Sequence, residues 1–223
     1  MKELLKRSPK IYEFARFIHS LPRRTSHLYK RTVGSYKLKH SAQQPQIKIV
    51  VGSSGIFDVG WTPTDVEYLD LTKIEDWKKH FKESSIDAIL SEHVWEHLTL
   101  QDGLTAAKIC FQYLKPDGYL RVAVPDGYHT NKEYIDWVKV NGSGEGAYDH
   151  KVLYNHESFY NLFKEAGFQV DLLEYFDKDG SFHRNEWDVK DGKIHRTSQF
   201  DDRNKYGQLN YTSLIIDAKK ITS

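Results

Sequence analysis

Apolar and polar positions alternate along this chain in two rhythms that trade places from segment to segment. Ile47-Lys48-Ile49-Val50-Val51 is a short, β-branched run that empties into Gly52-Ser53-Ser54-Gly55, which predicts a first strand and a tight turn. Gly60 to Asp65 carries a short second strand and Val66 to Leu71 a third. Thr72 followed by Glu75 predicts a capping box, and Ile74, Trp77 and Phe81 give the helix behind it a buried side. Ile86 to Leu90 is nearly continuous in apolar character, as a strand covered on both faces should be, and it ends at Ser91-Glu92-His93. Leu104, Ala107, Phe111 and Leu114 recur at helical spacing until Lys115-Pro116-Asp117-Gly118 stops them. Tyr119 to Val124 then alternates as a strand before Pro125-Asp126-Gly127. Asn141 to Gly146 is a glycine-rich loop; Asn155 caps a helix bearing Phe159, Leu162, Phe163 and Ala166, and Gly167 closes it. Two terminal strands follow, Phe168 to Tyr175 and Tyr211 to Ala218. The chain between them, 177–210, is too long for an ordinary connection, and Asp191-Gly192 predicts a type I′ hairpin within that insertion.

Strands alternating with helices predict an α/β fold with a mostly parallel sheet and helices on both faces. Such sheets bind ligands beyond the carboxyl ends of their strands. The glycine turn after the first strand lets a ligand approach the backbone, because a residue without Cβ tolerates positive φ. Asp65, at the end of the second strand, supplies the carboxylate that a ribose diol needs as acceptor. The candidate site therefore gathers Gly52, Ser53, Ser54, Gly55, Asp65, Asp70, Ser91, Glu92, His93 and Asp126.

Composition narrows this further. With 223 residues, 39% of them hydrophobic, the chain can bury one α/β domain with a small appendage. A net charge of +1 gives no global reason to expect nucleic acid. The charge is unevenly placed, since residues 1–46 carry many lysines and arginines opposed only by Glu3 and Glu13. Ile11, Phe14, Ala15 and Ile18 form a helical apolar stripe there, ended by Pro22; the segment is expected to pack on the domain, with an acidic membrane surface or partner, or nucleic acid, as the alternatives. Ser41 to Pro45 reads as a linker. Cys110 is the only cysteine, so no intrachain disulfide forms, and it is expected as a small apolar filler. No apolar run approaches the roughly 18 residues of a membrane span, and no secretory leader is evident, so a cytoplasmic protein is expected.

Three stretches taken together carry a resemblance: Gly52-Ser53-Ser54-Gly55 with Gly60-Trp61 and Asp65; Ser91-Glu92-His93-Val94-Trp95-Glu96-His97-Leu98; and Leu114-Lys115-Pro116-Asp117-Gly118-Tyr119-Leu120. In their order and distances they resemble the S-adenosylmethionine-dependent class I methyltransferases, and more narrowly a bacterial group in which Gly-Trp soon follows the glycine turn. The resemblance covers roughly residues 47 to 220. It implies a Rossmann-like seven-stranded sheet with an antiparallel last strand in a three-layer sandwich, a basic helical extension over 1–46, and a methyltransferase-like domain over 47–223. It implies S-adenosylmethionine as cofactor, with Gly52, Ser53, Ser54 and Gly55 at its methionine and ribose, Asp65 at the ribose hydroxyls, Asp70 and Leu71 near adenine, and Ser91 beside the sulfonium. The acceptor expected is a small molecule or sugar, with no nucleic acid partner. Methyl transfer to oxygen or nitrogen needs alignment and removal of a proton, and His93 is the first candidate base, Asp126 the second. His97 is expected as a packed helix residue and Trp95 as core. Tyr128, His129, Tyr148, His150, Tyr154 and His156 suit either a polar acceptor site or the rim of the core. Val51 and Ser54 stand where the family usually has an acid and a third glycine, which leaves a non-catalytic cofactor-binding or scaffold domain as the alternative. His93 to His97 also matches H-x-x-E-H, the inverted zinc-peptidase motif, but the match starts at a strand end, and no metal ligand is assigned from it.

Overall fold

The computed structural model describes residues 30–221. The expected stripe of Ile11, Phe14, Ala15 and Ile18 lies outside them. A helix, α1, occupies 30–41 within the described residues, and it packs on the domain through the fully buried Leu38. Ser41, read as the start of a linker, belongs instead to the end of this helix, where its hydroxyl accepts a 2.9 Å hydrogen bond from Thr62.

Among the described residues, seven strands form one sheet. They are β1 (Lys48–Val51), β2 (Thr62–Pro63), β3 (Ile86–Glu92), β4 (Leu114–Pro125), β5 (Gln169–Phe176), β6 (Phe182–Arg184) and β7 (Ser213–Lys219), and they lie in the order β2-β1-β3-β4-β7-β5-β6. β2, β1, β3 and β4 run parallel; β7 enters antiparallel between β4 and β5, and β6 is antiparallel to β5. The helices that follow α1 are α2 (Ile74–His80), α3 (Leu100–Tyr113), α4 (Lys132–Val138) and α5 (His156–Glu165). The sheet is therefore the α/β, mostly parallel one expected, with an antiparallel last strand. No helix among the described residues is long and apolar enough to cross a membrane.

Alternate strand residues face different layers. Ile49, Val51, Ile89, Leu120, Val122, Leu214 and Ile216 join Trp77, Trp95, Phe159 and Phe163 in a core under the helices. Val50, Ala88, Leu90, Ala123 and Ile215 face the opposite way, where Trp61, Trp187 and Ile194 cover them. The third layer is thus built from the loop before β2 and the chain before β7, where the sequence pattern predicted helices on both faces. Within that layer lies a buried ion pair. Arg121 donates from Nε and Nη2 to Asp217 at 2.7 and 2.8 Å across β4 and β7, and from Nη1 to the carbonyls of Asp188 and Gly192. The Trp187 ring lies 4.8 Å from the guanidinium.

Four local expectations are corrected. Val66 to Leu71 is not a strand, because Tyr68 and Leu69 both donate backbone N–H bonds to the Asp65 carbonyl and curl the chain, so the seventh strand is β6. Thr72 does not cap α2; its hydroxyl donates to Asp70 at 2.8 Å, and the helix starts at Ile74 without a side-chain cap. Asp191-Gly192 forms no hairpin, since N–H bonds from Asp191 to Asp188 and from Gly192 to Val189 make a 3₁₀ turn instead. The hairpin of this region is the one joining β5 to β6, where Asp177 Oδ1 accepts from the N–H groups of Asp179 and Ser181. Finally, α3 ends at Tyr113 and Leu114 is already strand. The Asn155 cap formed as expected, as a capping box with Ser158. α4, capped by Asn131, was not foreseen.

Candidate active site

Where parallel strands end, their last backbone groups and the loops that leave them face a common edge. Here β1 and β3 end in register, Val51 beside Ser91, and a cleft of about 260 Å³ opens beyond them. Gly52, Ser53 and Ser54 form one wall, with Ile56, Phe57 and Asp58 from the same loop. Gly52, Ser54 and Gly55 hold φ of 60, 45 and 87°, so the turn is a left-handed run that glycine favours. At Gly52 a Cβ would stand 2.5 Å from Val94, whereas at Gly55 it would meet nothing within 4 Å. The first glycine is there for packing against the neighbouring loop; the second, an expected site residue, has open space around it and is not part of the cleft wall.

The second wall comes from the end of β3. His93 has φ 57°, and this left-handed step turns the chain so that Glu92, His93, Glu96 and His97 all face the cleft. His93 lies between partners: Nε2 is 3.0 Å from the Ser213 hydroxyl, Nδ1 is 3.0 Å from Glu96 Oε1, and Tyr211 stacks on the ring. His97, expected in a helix core, ends the 3₁₀ turn Trp95–His97 and is about one-third exposed. Trp95 is core, as expected, donating from Nε1 to the Gly103 carbonyl.

The remaining walls are distant in sequence. Trp137 and Val138 come from α4, Ala147 and His150 from the loop after it, and Lys193, His195 and Arg196 from the insertion. Glu92 ties the insertion to the sheet, accepting N–H bonds from His195 at 3.0 Å and Arg196 at 2.8 Å. Burial pushes the Glu92 carboxyl up, but the His195 hydrogen bonds and the His93 and Arg196 charges outweigh it and bring it down to about 2. In return, the hydrogen bond to Glu92 raises His195.

Other expected site residues lie beside the cleft and not on its wall. Asp65 follows β2, with Oδ1 accepting the Val66 N–H at 2.8 Å. Burial pushes its carboxyl up, the Val66 N–H partly reverses this, and the nearby Glu67 carboxylate pushes it further. Asp70 is held by Thr72 and Lys73, which outweigh its burial and lower it. Leu71 is buried in the core. Ser91 is fully buried at the end of β3, and its Oγ has no hydrogen-bond partner among the described residues. Asp126 is buried as well: Oδ1 accepts from Tyr128 and Oδ2 from Phe176, and burial raises it to about 6. Those bonds fasten the β4 end to β5. Tyr154 and His129 are buried too, so of the aromatic and histidine set only His150 lines the cleft. Glu92, expected at the site from its strand end, is on the wall, whereas Glu96 entered the sequence reading only through the H-x-x-E-H match, and Trp137, Arg196 and Tyr211 carried no signal there.

The comparison with known families settles the kind of domain. A family described as a methyltransferase domain matches residues 40–173, more than half the chain. The chain belongs to this methyltransferase domain family. No curated protein matches this methyltransferase. Among solved structures, a SAM-dependent methyltransferase from Thermotoga maritima is 15% identical, with 94% of this chain and 98% of that one covered and a TM-score of 0.47. One from Archaeoglobus fulgidus is 12% identical, covering 92% and 99%, with a TM-score of 0.46. Phosphoethanolamine N-methyltransferase 2 of Haemonchus contortus, in complex with S-adenosyl-L-methionine, is 13% identical, covering 86% of this methyltransferase and 53% of that chain, with a TM-score of 0.42.

Proposed function

We propose that this methyltransferase carries the methyl group of S-adenosylmethionine to a small polar acceptor bound between His93, Tyr211 and the insertion. The observation that carries this reading is the left-handed glycine turn, whose Gly52, Ser53 and Ser54 line the same cleft that His93 faces. The turn suits the cofactor: the Gly55 N–H has only a 3.4 Å bond to Ser53 Oγ, and the exposed Ile56 and Phe57 offer apolar cover beside it. The buried, unpartnered Ser91 hydroxyl lies at the adjoining strand end. When bound, the cofactor supplies an electrophilic methyl carbon. The chain's own residues bind and orient both molecules and remove the acceptor's proton.

In this reading Gly52 to Gly55 cradle the methionine and ribose, Asp65 accepts from the ribose hydroxyls, and Asp70 and Leu71 flank the adenine. His93 accepts the proton, with Glu96 behind it to stabilise the imidazolium. Asp126 we assign to holding the β4 end, since both of its oxygens already accept backbone N–H bonds. Lys193, His195 and Arg196 give the acceptor side a polar wall, so the insertion selects the acceptor. The test is calorimetry with S-adenosylmethionine and its demethylated product. Binding is expected, and Asp65→Ala should weaken it by roughly tenfold to a hundredfold, the loss of a charged hydrogen-bond acceptor. Absence of heat at millimolar cofactor from folded protein sinks the proposal. A second reading, a cofactor-binding domain without turnover, draws on Asp65 lying beside Glu67 and off the cleft wall. It predicts an Asp65→Ala variant that binds as the parent does.

A further inference from the structure

We propose that Glu96, His97 and His150 form a binding site for a divalent transition-metal ion, of which zinc is the type, in the acceptor half of the cleft. One donor atom from each lies within 4.8 Å of the others. Donors on one zinc stand roughly 3.5 Å apart, so side-chain rotations of about an ångström close the set.

Glu96 is the strongest sign. It is fully buried, it faces the cleft, and among the described residues neither carboxylate oxygen has an aligned hydrogen-bond partner. A buried anion in that condition is costly unless a cation meets it. His93 Nδ1, 3.0 Å from Oε1, serves one side only. His150 is the second sign. It is buried, and its Nδ1 lies 2.7 Å from the Val138 carbonyl, which can only accept; Nδ1 therefore carries the proton and Nε2 keeps its lone pair. An outward N–H bonded to a carbonyl is the arrangement that orients a metal-ligating imidazole. His97 supplies the third donor, its ring 4.8 Å from that of His150 and edge-on to it.

The scaffold holds these donors together. The Glu96 carbonyl accepts N–H bonds from Lys151 at 2.7 Å and Val152 at 3.2 Å, which tie the turn bearing Glu96 and His97 to the loop bearing His150. Two imidazoles and a carboxylate suit zinc and neighbouring divalent metals, and three protein ligands leave a position for water or for an oxygen of the acceptor. The set differs from the H-x-x-E-H peptidase pattern, because His93 is outside it and His150 comes from another loop. A metal here would polarise a bound acceptor hydroxyl; that use rests on the methyl-transfer reading, whereas metal binding does not.

The test is calorimetry of the chelator-treated full chain with zinc sulfate, with cobalt(II) as a spectroscopic probe of the same site. One equivalent of zinc should bind, and Glu96→Gln and His97→Ala should each weaken it about tenfold or more. His195→Ala, which removes a cleft histidine outside the cluster, should leave zinc affinity unchanged. Because loss of the buried Glu96 charge could alter folding, circular dichroism accompanies each variant, and the third-exposed His97 gives the arm least exposed to that ambiguity. No zinc binding by folded parent protein, or binding undiminished in His97→Ala, overturns the site. S-adenosylmethionine calorimetry on the same sample separates the two readings: zinc without cofactor binding leaves the metal site and removes methyl transfer, and cofactor without zinc does the reverse.

Discussion

At Gly52 two independent demands meet, a φ of 60° and a neighbouring Val94 methyl where a Cβ would go, while at Gly55 only the first applies. Gly52→Ala should therefore cost about 2–4 kcal/mol and Gly55→Ala about 1 kcal/mol, the left-handed strain alone, as read from denaturant midpoints. The sequence marked both glycines alike, since a side chain that is missing does not say what it makes room for. Glu92 is a second residue whose role depends on distant partners. With its carboxyl at about 2 in the native state against an ordinary 4.5, it stabilises the fold by about 3 kcal/mol at neutral pH. The sign follows from a lowered carboxylate: the contribution is complete above pH 4.5 and is lost as pH falls toward 2. Acid titration of stability should show that loss in the parent and a flatter profile in Glu92→Gln; identical profiles would remove the assignment.

Among elements, the contrast between two capping signals is informative. Asn155 and Thr72 stand at similar sequence patterns, yet only Asn155 accepts a helix N–H, from Ser158 at 2.9 Å, while Thr72 turns its hydroxyl to Asp70. Asn155→Ala should cost about 1 kcal/mol and Thr72→Ala measurably less. Equal losses in urea unfolding would contradict this. Periodicity identified β1, β3, α3, α5 and β7 because each buries a regular face. It failed at Val66 to Leu71, where Leu69 and Leu71 are buried from a turn. Apolar residues buried by irregular chain carry the same letters as a strand. α4 escaped notice because only Tyr134 and Val138 of its seven residues are buried, too few to set a period.

Over the whole molecule, Arg121 joins three parts of the fold: β4, β7 through Asp217, and the insertion through the carbonyls of Asp188 and Gly192. Arg121→Ala leaves Asp217 as an unpaired buried charge, so a loss of about 3–5 kcal/mol is expected, with faster amide exchange around Val189 to Gly192. Arg121→Met combined with Asp217→Leu should be much less harmful than Arg121→Ala, and equal losses would count against the pair as the cause. The insertion is thus part of the fold, with Ile194 fully buried against the sheet. By itself the sequence determined the alternation of strands and helices, the glycine turn at the end of β1, and membership of the methyltransferase family, because these are written in neighbouring residues through local periodicity and backbone freedom. Tertiary structure alone decided that β7 lies between β4 and β5, that irregular chain covers the second face, that Glu92 meets His195, and that Glu96 comes within 4.8 Å of His150. Those are contacts between residues far apart in the chain, and packing and burial choose such partners with no local pattern to announce them.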